Sequence, residues 1–117
     1  MMTRLRFLVG VLALFTLFTL SLACDTQTPL TDAQKHYVGK WRSTGGTTVI
    51  EIRADGSADL KGPHRDFEGG AVTISSTSLS LKRGMVGETF PITSAPVQQP
   101  TTGKWVMMLD SDTFTRD

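Results

Sequence analysis

From Thr48 onward the apolar residues of this chain fall on every second position. Thr48, Ile50 and Ile52 alternate with Val49, Glu51 and Arg53, and the pairs Ala58/Leu60, Val72/Ile74, Leu79/Leu81 and Phe90/Ile92 keep the same period, as do Trp105, Met107 and Leu109. A period of two is what a strand needs when one face is buried and the other is wet. Turn-forming residues punctuate the pattern. Asp55-Gly56 separates the first two runs, Ser76-Thr77 the next two, and Asp110-Ser111-Asp112 turns the chain before Phe114. About seven or eight short strands joined mainly by hairpins predict an all-β, mainly antiparallel meander, which loses its exposed edges by curling into a barrel or a sandwich. Pro91 lacks a ladder donor and marks an edge or a bulge. Residues 62–70 and 94–103, rich in Gly, Pro and polar side chains, read as loops.

One short helix precedes the strands. Thr31-Asp32-Ala33-Gln34 has the form of a capping box, and Gly39 supplies the stop, so a helix of about two turns is expected over residues 32–38. So short a helix holds only if Tyr37 and Val38 dock on something.

The N-terminus has a different composition. Arg4 and Arg6 are followed by an uncharged apolar run from Phe7 to Leu22, then by the small residue Ala23 and by Cys24, the only cysteine. Charge, apolar stretch and small residue stand in signal-peptide order, and about 16 apolar residues are fewer than the roughly 20 of a membrane-spanning helix. Leu20-Ser21-Leu22-Ala23-Cys24 resembles the lipobox of bacterial lipoproteins, with Ser21 at the position where leucine is usual. The resemblance implies cleavage before Cys24, lipid on its sulfur, and a membrane-anchored domain in the cell envelope, outside the cytoplasm. Asp25 resembles the residue that retains lipoproteins in the inner membrane of enteric bacteria; inner and outer membrane both stay open. The division expected is a signal peptide over 1–23, a flexible stalk over 24–30, and a β domain over 31–117.

Removing 23 of the 117 residues leaves 94, room for one domain with one core and no disulfide. Without Arg4 and Arg6 the 12 basic residues become ten, against 11 acidic ones, and no basic run remains. Nucleic acid is therefore not an expected partner.

Tyr37-Val38-Gly39-Lys40-Trp41, a short helix followed by Gly-x-Trp at the start of the first strand, resembles the opening of lipocalins and of the shorter lipocalin-like domains of bacterial lipoproteins. The resemblance implies a barrel in which Trp41 sits at the closed end and a basic residue near the C-terminus, here Arg116, packs across it; Gly39, Trp41 and Arg116 form the structural motif. The chain is shorter than a full lipocalin, whose extra height encloses a ligand. Eight strands leave an interior barely wider than its side chains. Trp41, Ile50, Ile52, Leu60, Val72, Ile74, Leu79, Leu81, Phe90, Ile92, Trp105, Met107, Leu109 and Phe114 are expected to fill it. Gly39-Lys40-Trp41 and Gly103-Lys104-Trp105 echo each other, but three shared residues do not establish a repeat.

Chemistry is sparse. The segment Lys61-Gly62-Pro63-His64-Arg65-Asp66-Phe67-Glu68 sets a possible base beside carboxylates, yet on a glycine-bordered loop that fixes none of them; a solvated loop is the expectation. With His36 and His64 the only histidines and Cys24 committed to lipid, no metal site is expected. No cofactor and no catalytic residue is assigned. The expected role is a non-enzymatic interaction protein, with an apolar outer face near Val106 and Met108 and a second contact at Met85 and Val86. The alternative is a binder of a small apolar ligand or lipid at a barrel mouth lined by Phe67, Met85, Phe90 or Trp105.

Overall fold

The computed structural model describes residues 27–117. Cys24, and with it the signal-peptide and lipidation reading, lies outside the described residues. A 3-10 helix, Asp32–Tyr37, leads into eight strands: β1 Gly39–Ser43, β2 Val49–Ile52, β3 Ser57–Lys61, β4 Asp66–Ile74, β5 Ser78–Arg83, β6 Val86–Gln98, β7 Trp105–Leu109 and β8 Asp112–Arg116. Each pairs antiparallel with the next, and β8 pairs back on β1 through Trp41 opposite Arg116 and Ser43 opposite Phe114. The sheet is therefore closed, and of the two expected architectures the barrel is the one found. Closure removes the free edges that a meander of short strands would otherwise expose.

The period-two pattern places the core. Trp41, Ile50, Ile52, Ala58, Leu60, Val72, Leu79, Leu81, Met107, Leu109 and Phe114 point inward and are buried, while Ile74, Phe90, Ile92 and Trp105 are half-buried against them. Every strand sends at least one apolar side chain inward. Burying one such side chain stabilises the fold by about 1.5–3 kcal/mol, which a domain without disulfides needs. Tyr37 joins the core from the helix, and burial pushes its phenol pKa up.

Two segments expected to be loops are about half strand. β4 begins at Asp66, so only residues 62–65 turn, and β6 runs on to Gln98. The glycines that suggested a loop in the first case form an irregularity in a ladder. Opposite Ala58–Leu60 the register slips, Gly69 takes φ +71°, and its N–H donates to Asp59 Oδ1 at 2.9 Å. A Cβ on Gly70 would stand 2.6 Å from the Phe67 ring and 2.9 Å from the Lys82 carbonyl, so the backbone passes where a side chain cannot. In β6 the register with β7 slips between Ile92 and Ser94, directly after Pro91, and again between Ser94 and Val97, around Pro96. Pro91 itself stands in register opposite Ser78 of β5, so the irregularity falls just past the position expected, and Pro96 lies within the second slip.

The helix is tighter than expected. Its capping box forms, with Thr31 N–H donating to Gln34 Oε1 at 3.1 Å, but six residues wind as a 3-10 turn. The Tyr37 carbonyl takes the Trp41 indole N–H at 2.8 Å, and Gln34 Nε2 donates to the Ile74 carbonyl at 3.1 Å. These bonds fasten the helix over one end of the barrel. At that end lie the β2–β3, β4–β5 and β6–β7 turns and the C-terminus of β8; the other end carries residues 44–48, 62–65, 84–85 and 110–111.

The stalk also differs from expectation within its described part. Leu30 N–H donates to the Ala54 carbonyl at 3.0 Å, and Gln27 Nε2 donates to the Gly69 and Gly70 carbonyls, each at 3.2 Å. The Thr28 carbonyl lies against Gly56, where a Cβ would be 2.0 Å from it. From Gln27 on, the stalk is a strap bonded to the barrel.

Candidate functional site: barrel ends and outer faces

At the helix end Gly39, Trp41, Trp105 and Arg116 lie together. The Arg116 guanidinium lies 5.7 Å from the Trp41 ring centroid and 5.1 Å from that of Trp105. His36 stacks on Trp105 at 4.9 Å, with the rings 19° apart. Arg116 Nη1 donates to the Val38 carbonyl at 3.2 Å, and the side-chain stem runs so close over Gly39 that a Cβ there would be 2.4 Å from Arg116 Cδ. Gly39 also holds φ +140°, open only to glycine without strain. The two Gly-Lys-Trp tripeptides converge on one cation. Their shared physical role is to flank Arg116, which sequence spacing alone did not disclose. This arrangement latches the barrel shut.

The four residues proposed to line a ligand mouth do not converge. Trp105 belongs to the helix end, Phe90 lies opposite Leu79, Phe67 lies opposite Leu60 near the other end, and Met85 is fully exposed in the two-residue β5–β6 turn. Among the described residues, two of the open hollows measure about 240 and 250 Å³. Both fall below the roughly 300 Å³ at which ligand pockets begin. The smaller lies on the outer face of β1–β4 among Lys40, Arg42, Val49, Glu51, Asp59, Lys61 and Glu68. The other lies beneath the strap, between Thr28–Thr31, Gln34 and residues 72–74 of β4.

The charged outer face has its own order. Glu51 and Asp59 stand directly opposite each other across β2 and β3, a like-charge pair that would repel. Arg53 answers both: its guanidinium bonds Asp59, lies 3.9 Å from Glu51, and donates to Ser57 Oγ at 3.2 Å. Burial pushes the Asp59 carboxyl pKa up, but Arg53, the Gly69 N–H and the Lys61 charge together outweigh it, and the group sits below the ordinary carboxylate value. Asp55 is also held low, by the Ser57 hydroxyl at 2.6 Å and the Ser57 N–H at 2.9 Å. Both carboxylates thus stabilise the β2–β3 hairpin.

His64 is exposed in the 62–65 turn, with no hydrogen-bond or ion-pair partner among the described residues; its neighbour Arg65 bonds the Gly87 carbonyl. Among the described residues no group of three His, Cys, Asp or Glu could hold a metal ion. On the opposite flank, Val106 and Met108 face outward from β7 and are half-buried. Val97 of β6 pairs with Val106 and is 55% exposed, so an apolar strip runs along β6–β7. Met85 and Val86 stand apart from it, at the other end of the barrel.

The fold defines the class: a closed, eight-stranded, antiparallel up-and-down barrel with a helical cap. Compared with protein-family models, with curated proteins and with solved structures, the chain matches none.

Proposed function

We propose that this chain is a lipid-anchored protein of the cell envelope, held in a membrane through Cys24, whose barrel works through its outer surface by binding a protein partner. The observation that carries the reading is the occupied interior. Trp41, Ile50, Leu60, Leu79, Leu81 and Met107, drawn from five strands, are almost fully buried inside the barrel. A lipocalin-like binder must leave its interior open to the ligand, whereas a solid barrel has only its surface to offer. On that surface the Val97–Val106–Met108 strip is the apolar feature that two neighbouring strands share.

Two measurements test the proposal. Titration with an apolar fluorescent probe is expected to give no saturable enhancement; saturable one-to-one binding would favour the ligand-carrier reading instead. A photo-crosslinking residue placed at Val97 in whole cells is expected to give a discrete adduct. The same residue at Thr89, exposed on the outer face of β6, is expected to give none. Equal, diffuse labelling from both positions would count against a docking strip.

A further inference from the structure

The strap has a consequence for how the domain meets the membrane, and the argument rests on the lipid-anchor reading. Three residue steps separate Cys24 from Gln27, a reach of about 10 Å at full extension. Gln27 is fastened to the Gly69 and Gly70 carbonyls, the Thr28 carbonyl fills the space left by the missing side chain of Gly56, and Leu30 is bonded to Ala54. A flexible stalk of the same total length would let the barrel tumble; here the slack has been taken up.

We propose that the helix-capped end of the barrel, on the side of the β2–β3 turn, stands against the bilayer surface in which Cys24 is anchored, and that the end carrying residues 62–65, 84–85 and 110–111 faces away. The occupant of the capped end is thus the lipid headgroup surface. That end exposes Asp32, Lys35 and Asp55, polar groups compatible with contact to headgroups. In a barrel of eight strands β3 and β7 are diametrically placed, so the strap on the β3 side leaves the Val97–Val106 strip uncovered.

The test uses the mature full chain, extracted from membranes in detergent and reconstituted into phosphatidylcholine vesicles doped with headgroup spin-labelled phosphatidylcholine. Single thiols for a bimane fluorophore are introduced by Ser76→Cys, in the β4–β5 turn at the capped end, or Ser111→Cys, in the β7–β8 turn at the other. Both positions are exposed. Strands of five to six residues separate the two ends by about 17–20 Å, so quenching at residue 76 should exceed that at residue 111 by about threefold or more. Inserting ten Gly/Ser residues between Thr26 and Gln27 leaves every strap contact intact and adds about 17 Å of flexible reach, and it should abolish the difference. Vesicle-bound protein with equal quenching at the two positions would overturn the orientation and leave the anchor standing. Protein that fails to float with vesicles would overturn the anchor, and the orientation with it.

Discussion

Arg116→Ala should be among the most damaging single changes at an incompletely buried position. The guanidinium is flanked by Trp41 at 5.7 Å and Trp105 at 5.1 Å, and it donates to the Val38 carbonyl at 3.2 Å. A cation over an indole is worth about 0.5–2 kcal/mol, toward the upper figure where water is excluded, and Trp41 is fully buried. The charge-assisted hydrogen bond adds about 1.5 kcal/mol. Because the three contacts share one group and do not add fully, about 2–4 kcal/mol is expected in total. For a domain of this size that lowers Tm by roughly 10–25 °C. The assay is urea and thermal unfolding, followed by far-UV circular dichroism, of the mature chain carrying Cys24→Ser. Arg116→Lys keeps the charge but cannot lie flat between two indoles, so it should recover less than half of the loss. A cycle pairing Arg116→Ala with Trp105→Leu should return a coupling of about 0.5–2 kcal/mol. A loss under about 0.5 kcal/mol for Arg116→Ala, or no coupling to Trp105, would refute the latch.

Other changes probe neighbouring links. Gly39→Ala combines a strained φ with a Cβ 2.4 Å from Arg116 Cδ, whereas Gly46→Ala has a positive φ in open space; the first should cost more unfolding free energy in urea, about 1–3 kcal/mol against about 1. Equal losses would mean that the Arg116 stem is not held over Gly39. Asp59 and Asp55 have folded pKa values below their unfolded ones, so their contribution is complete above about pH 4 and drains away as pH falls through the lower folded values. The urea midpoint should therefore fall on acidification below about pH 4, and Asp59→Asn should flatten that dependence; an unchanged slope would remove Asp59 from the account.

Much of the barrel was legible because its physics is local. Period two, Asp55-Gly56 and Asp110-Ser111-Asp112 specify strand faces and hairpins without reference to distant residues, and every residue of the expected inward set is buried or half-buried, with Tyr37 and Ala58 added. Asp110 takes φ 55° in that turn, which is one residue tighter than expected because Asp112 already opens β8. What could not be read depends on partners far along the chain. Residues 66–70 look like a loop by composition, and only pairing with β3 makes them strand, with the glycines at an irregularity in that ladder. Gln27–Leu30 looks like free tether because nothing local says that Gly56 and Gly69–Gly70 wait for it. The Trp105 side of the latch was hidden for the same reason: β7 and β8 must pair before both indoles reach Arg116. Of the ligand-mouth candidates, each is apolar and near a strand end, but pattern alone does not say which end, and the four are distributed over both.

The claim on which the functional account turns is attachment through Cys24, and intact-mass measurement of the mature chain extracted from membranes addresses it directly. The account predicts a polypeptide that begins at Cys24 and is heavier by a diacylglycerol group, with or without a further acyl chain on the amino terminus. An N-terminus elsewhere, or a Cys24 thiol free of lipid, would contradict it.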